Sequence, residues 1–184
     1  MIDIEVKVDT HTVTLFLKGV RAETISKASA RALNKVIVSV RQEAVQHVHR
    51  VRRMKKGAIK KSMVIVRATR RILEARINAS NRPVSLKEYS AKVAGKKGHK
   101  RVIVNVTGQR KVLEHAFILP SKGGHVFERI SEKALPIKKL FGPSIGSALI
   151  KSSVRLAINQ VIKKKWPVVF AREMQFEINK RNGR

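Results

Sequence analysis

The sequence contains no cysteine. That excludes disulfides, thiolate metal sites and cysteine nucleophiles together, and it suits a protein assembled in a reducing cytoplasm. Carboxylates are scarce: there are 12 Asp and Glu in 184 residues, and the aspartates are Asp3 and Asp9 alone. A two-metal nuclease needs several carboxylates converging on its ions, so this inventory speaks against one. Aromatic residues make up 4% of the chain, which leaves few stacking platforms for a sequence-reading RNA module. No run of about 18 apolar residues occurs, so no membrane anchor is expected. Asp3 and Glu5 lie among the first apolar residues, which is wrong for a secretory signal. Nucleophile-elbow, P-loop and dinucleotide fingerprints are missing. Gly95-Lys96-Lys97-Gly98 lacks the strand-to-helix setting of a phosphate loop. No catalytic group, cofactor or metal site is therefore expected, and the chain does not read as an enzyme.

What is abundant is positive charge. With 41 Lys and Arg against 12 acids, the formal net charge is +29. Such a monomer repels itself and attracts polyanions, whether nucleic acid, an acidic protein or an anionic surface. The hydrophobic fraction of 43% is that of a globular chain rather than a disordered basic tail. At this length one domain over residues 1–184 is expected.

Residues 1–18 alternate twice, with Ile2, Ile4 and Val6 on one face and then Val13, Leu15 and Leu17 on another, a β-hairpin pattern. Over residues 22–50 the period changes. Ile25, Ala28, Ala32, Val36, Val40, Ala44 and Val48 recur at spacings of three and four, the stripe of a long amphipathic helix. His47 and His49 fall within it. Two positions apart on a helix they point about 200° away from each other, so they cannot share an ion while the helix continues. Residues 50–61 carry Arg50, Arg52, Arg53, Lys55, Lys56, Lys60 and Lys61 with no acid. A solvated face and a polyanion-facing surface both fit such a run, because phosphate contacts need mobile cationic heads rather than fixed spacing. Gly57 breaks or restarts a short helix.

Residues 63–66, 72–77 and 102–106 read as strands, and 84–89 as a short edge segment. Residues 91–101, with Lys96, Lys97, Lys100 and Arg101, read as a flexible basic excursion, either a plain disordered loop, which the sequence alone favours, or a tongue that orders only on meeting DNA or a neighbouring subunit. After residue 144 the helical period returns, with Val154, Ile158, Val161 and Ile162 on one face. Pro167 either kinks this helix or opens a second one.

Residues 116–144 organise the chain. Ala116-Phe117-Ile118-Leu119 and Val126-Phe127-Glu128-Arg129 flank a Pro-Ser-Lys-Gly-Gly turn, the signal of a β-hairpin. His115 and His125 flank this hairpin and can approach across it, with no third ligand evident. Pro136 and Pro143 withhold two backbone donors, so residues 135–144 are expected to be an extended crossing segment or a sheet edge. The fold class is α+β: a mainly antiparallel β-sheet packed by a long N-terminal helix and a kinked C-terminal helix.

The ordered set Ala116-Phe117-Ile118, Gly124, Phe127-Glu128-Arg129, Leu135-Pro136-Ile137 and Gly142-Pro143-Ser144 resembles the prophage minor tail protein Z family of long-tailed bacteriophages. The likeness extends upstream to the segments 30–35, 51–56 and 75–77, and so covers roughly residues 28–150. His115 and Ala134 depart from the pattern. The resemblance implies a structural virion protein acting in tail completion and head–tail connection at the head-proximal end of the tail. It implies a homohexameric ring around the DNA channel, assembled in the bacterial host. Its partners would be the tail terminator, the head–tail connector and packaged double-stranded DNA. Within that picture the run 50–61 and the excursion to Arg101 are the leading lumen or partner contacts, and the motif residues build the architecture. The alternative from composition alone is a ribosomal-like or other basic RNA- or DNA-binding protein.

Overall fold

The computed structural model describes residues 2–7, 21–95, 101–131 and 133–183. They divide into two compact units: one holds the described residues of Met1–Ala44, Met63–Ala79 and Ser152–Arg184, the other Val45–Ser62 and Ser80–Lys151. The class is α+β, as the sequence indicates. Among the described residues the β pairing is antiparallel and is spread over four small sheets.

In the first unit, β1 (Ile2–Lys7), β2 (Met63–Val66) and β3 (Glu74–Ala79) form a sheet in the order β1-β3-β2. Ile4 and Ile65 both register on Ile77, and Val6 registers on Ala75. The alternation buries Met63, Ala75, Ile77 and Ala79 on one face. The first strand thus pairs with β3; the second strand expected from residues 13–17 lies outside the described residues. Ile72 and Leu73 fall before β3, so the strand read at 72–77 starts two residues later.

The long helix α1 (Ala22–Arg52) forms where the spacing puts it. Within the first unit its stripe Ile25, Ala28, Leu33, Val36, Ile37 and Val40 is buried, and small Ala28 lets a neighbour approach closely. That neighbour is the last helix of the chain (Ser152–Arg181), whose Met174, Phe170 and Ile178 pack on Ile25 and Ala28. This helix runs on through Pro167, which supplies no N–H and so leaves one carbonyl of the preceding turn without its helical donor. Trp166 and Phe170 stack beside it with centroids 5.3 Å apart.

The second unit takes up the end of α1 from Val45, then α2 (Lys56–Lys61). β4 (Val84–Ser85) leads into a 3₁₀ turn at Leu86–Tyr89. β5 (Lys92–Ala94), β6 (Arg101–Asn105) and β7 (Arg110–Leu113) make a three-stranded meander. Lys92 registers on Ile103 and Ala94 on Arg101, so the two ends of the excursion read at 91–101 are strands, while residues 96–100 lie outside the described residues. Buried Val102 and Val104 supply the apolar alternation that fixes them.

β8 (Ala116–Leu119), β9 (His125–Arg129) and β10 (Ile137–Lys139) form the next sheet, and β11 (Phe141–Gly142) pairs with β4. The hairpin and the sheet edge are where the turn and proline signals put them. Gly123 and Gly124, at φ 71° and 69°, make the bend that a Cβ would strain. α3 (Ile145–Leu149) follows, capped by Ser144, whose Oγ accepts from the Ser147 amide at 3.2 Å. The last helix of the chain is α4.

Candidate functional site

The basic run spans the last turn of α1, a linker and α2, all in the second unit. Arg50, Arg53, Lys55, Lys56, Lys60 and Lys61 are exposed. Arg53 sits in the left-handed region at φ 51°, ending α1 in the manner of a C-cap residue. The Lys55 amide then donates to the Glu88 carbonyl at 2.9 Å, so the linker is anchored by its backbone while its side chains stay in water. Buried Met54 and Ile59 give the run an apolar underside. Among the described residues these six cations have no carboxylate within ion-pair distance. A row of unpaired cations on fixed backbone can meet phosphates or acidic side chains, and it carries no device for reading bases.

Arg52 belongs elsewhere. It is half-buried and its Nη2 donates to Ser147 Oγ at 3.1 Å. Its charge also reaches the Tyr89 hydroxyl. Arg101 opens β6 and approaches Glu114 at 3.4 Å. Lys96, Lys97 and Lys100 lie outside the described residues.

The motif residues all lie in the same unit, some packed in the hairpin, some packed around Tyr89, and Arg129, Leu135 and Pro136 exposed. Phe117 registers on Phe127 and stacks on it at 6.4 Å, with the Arg129 guanidinium 5.2 Å from the Phe117 ring. Ala116 is buried beneath the hairpin, and Ile137 registers on Arg129. Leu135 is exposed, and its bond to Pro136 is cis. Gly142 backs onto the buried Tyr89 ring: a Cβ there would lie 2.6 Å from Tyr89 Cε2. The Tyr89 hydroxyl donates to the Pro143 carbonyl. Ser144 caps α3 and donates to Asn81 Oδ1 at 2.8 Å. Gly-Pro-Ser is therefore an architectural lock around Tyr89, and the spacing of its residues is set by packing.

Burial pushes the Tyr89 hydroxyl up to about 12, with the Arg52 charge pulling partly against it. Tyr89 is the one tyrosine in the chain, so an absorbance titration reads it directly. The folded value lies above the unfolded value of about 10. Its contribution to stability is therefore whole below pH 10 and is lost as pH rises through about 12. We expect a single ionisation near 12 in the folded protein; a midpoint near 10 with the fold intact would contradict the buried lock.

The histidines also have structural work. His49 Nδ1 meets the Met54 carbonyl at 2.5 Å, and since a carbonyl only accepts, Nδ1 carries the proton. The hairpin register sets Leu119 opposite His125, so His115 and His125 do not meet. His125 Nδ1 instead pairs with Ser85 Oγ at 2.8 Å. Burial first, then the Lys139 and Lys87 cations, lower its pKa below the ordinary histidine value. Among the described residues no three His, Asp or Glu side chains gather as metal ligands, and no helix is long and apolar enough to cross a membrane.

The first unit holds a second cationic site that no run in the sequence announces. Arg21, Lys27, Arg31, Arg70, Lys180 and Arg181 converge on one cavity. They come from three distant segments, and the pairs Arg70-Arg71 and Lys180-Arg181 were the only local signal.

Compared with known proteins, a family model described as prophage minor tail protein Z (GPZ) matches residues 11–182 of the chain. No similar chain was found among curated proteins or among solved structures.

Proposed function

From its membership of the prophage minor tail protein Z family, which makes the chain a structural component of a phage tail and hence of a virion, we propose that it acts in tail completion and head–tail connection at the head-proximal end. Copies of the chain close a homohexameric ring around the DNA channel, docked between the tail terminator and the head–tail connector. The observation that carries this reading is the row of unpaired cations along Arg50, Arg53, Lys55, Lys56, Lys60 and Lys61 in a chain of a tail-protein family. A lumen passing packaged DNA is where such a row lowers the free energy, by releasing counterions from phosphates. Ring closure also accounts for apolar side chains left in water on the single chain, among them Val64 and Val66 on the edge strand β2 and Leu156 and Val168 on α4.

Light scattering and negative-stain images at low and high salt test the reading. Rings of one diameter that persist at high salt are expected; a monomer at both salts overturns it. In the same particles, Lys55→Glu, Lys56→Glu and Lys60→Glu together should abolish DNA delivery while the melting temperature stays within about 2 °C, since exposed substitutions shift stability little. If the triple variant unfolds instead, the run is structural.

A further inference from the structure

The N-terminus of α1 opens onto a cavity of about 540 Å³ within the first unit. Its walls carry the cations Arg21, Lys27, Arg31, Arg70, Lys180 and Arg181 against the two carboxylates of Glu23 and Glu177. Both acids are already engaged: Glu23 with Lys27 at 2.6 Å, and Glu177 with Arg31 at 2.9 Å. Among the described residues, Arg21, Arg70, Lys180 and Arg181 have no carboxylate within ion-pair distance. Arg21 also precedes the first turn of α1, and its side chain offers no acceptor to the leading amides of the helix. The positive end of the helix therefore adds to the side-chain charge.

The walls are built, not draped. Asn34 Nδ2 donates to the Ala68 carbonyl at 2.9 Å while the Ala68 amide donates back to Asn34 Oδ1 at 2.8 Å. Thr69 and Ile72 close the next turn by two bonds of 2.9 and 3.0 Å, which holds Arg70 at its tip. On the far wall, Arg31 is fixed by Glu173 and by the Phe176 ring 4.2 Å away.

We propose that this cavity docks an extended Asp- or Glu-rich segment of another protein. Its volume lies within the range of about 300–1,000 Å³ that takes a small ligand or a few residues of chain. That is too small to enclose a duplex, which could present only single phosphates at its mouth. Chemistry points the same way. Four unpaired cations, three of them guanidinium forks, suit carboxylates. Glu23, Glu177 and the Asn34 and Thr69 oxygens beside them already hold one donor each and keep a lone pair for another. A peptide brings backbone N–H groups to such acceptors; a phosphodiester backbone brings none. Nor does a second copy of this chain supply the segment, because no two of its 12 acids are adjacent in sequence. The docking does not depend on ring closure.

The test uses the full-length protein, a fluorescein-labelled octaglutamate peptide and a short DNA duplex, each followed by fluorescence polarisation at fixed salt. The variant Arg70→Ala/Lys180→Ala/Arg181→Ala is compared with Arg155→Ala/Lys163→Ala/Lys164→Ala, which removes the same charge from exposed positions of α4 outside the cavity. All six side chains are exposed, and melting curves confirm the fold. The cavity variant should weaken the peptide at least tenfold and the control less than threefold, with duplex binding falling alike in both. Equal peptide losses in the two variants overturn the proposal in favour of diffuse charge. A duplex loss in the cavity variant that exceeds its peptide loss overturns it in favour of a nucleic-acid site.

Discussion

Replacing Glu173 by alanine should destabilise the first unit by about 2 to 3 kcal/mol, lowering the melting temperature by roughly 5–10 °C. Glu173 is 2% exposed, on α4, and receives Lys35 Nζ at 2.6 Å and Arg31 Nε at 2.9 Å from α1. Removing it strands Lys35 and leaves Arg31 with Glu177 as its one remaining carboxylate. The loss falls short of the 3–5 kcal/mol typical of a fully buried pair because both cations keep a wet side. Burial is the strongest single influence on the Glu173 carboxyl and acts to raise its pKa. The hydrogen bonds and charges of Lys35 and Arg31 together outweigh it and hold the carboxyl below its usual range. The stabilisation is thus present above the unfolded carboxylate value of about 4.3, and it fades as pH falls through the lower folded value. Denaturant melts of wild type and Glu173→Ala should differ at neutral pH and converge in acid. Equal stability of the two at neutral pH would show that the triad contributes nothing net.

The second unit has its own single point of failure. Gly142→Ala should cost about 1 to 3 kcal/mol, the usual penalty for inserting a methyl into a packed core. The new Cβ would sit 2.6 Å from Tyr89 Cε2 and 3.0 Å from Cζ. The ring has nowhere to go, because it is fully buried and its hydroxyl is tied to the Pro143 carbonyl. Gly142 has no positive φ, so the penalty is steric and not conformational. Tyr89→Phe removes only the hydroxyl, for about 1 kcal/mol, and frees the ring to slide. The double variant should therefore be less impaired than the sum of the two singles, as touching residues are not additive. An additive double variant, or a Gly142→Ala protein as stable as wild type, would show that the ring does not press on the glycine.

Local pattern made much of this fold readable. The stripe from Ile25 to Val48 fixed a long helix because one residue every turn had to be apolar to be buried. The Pro-Ser-Lys-Gly-Gly turn fixed the hairpin because few residues bend that sharply. Other parts needed partners that lie far along the chain. β4 and β11 have two residues each, and they pair only because residues 84–85 and 141–142 meet in space. Arg52 looked like one more cation of a run until Ser147, 95 positions on, gave it a place. The Gly-Pro-Ser motif was visible as a likeness, but its reason, the Tyr89 ring, was not. The cavity cations arrive from three segments, so no window of sequence holds enough of them to stand out.

The interleaving of the two units has a consequence for biosynthesis. Val45–Ser62 and Ser80–Lys151 have all been translated before Ser152–Arg184 emerges from the ribosome. The later-numbered unit is thus complete in the nascent polypeptide while the earlier one still lacks α4. Until then Ile25 and Ala28 wait without Met174, and Arg31 and Lys35 wait without Glu173. The half that begins the chain is the half that must finish folding last.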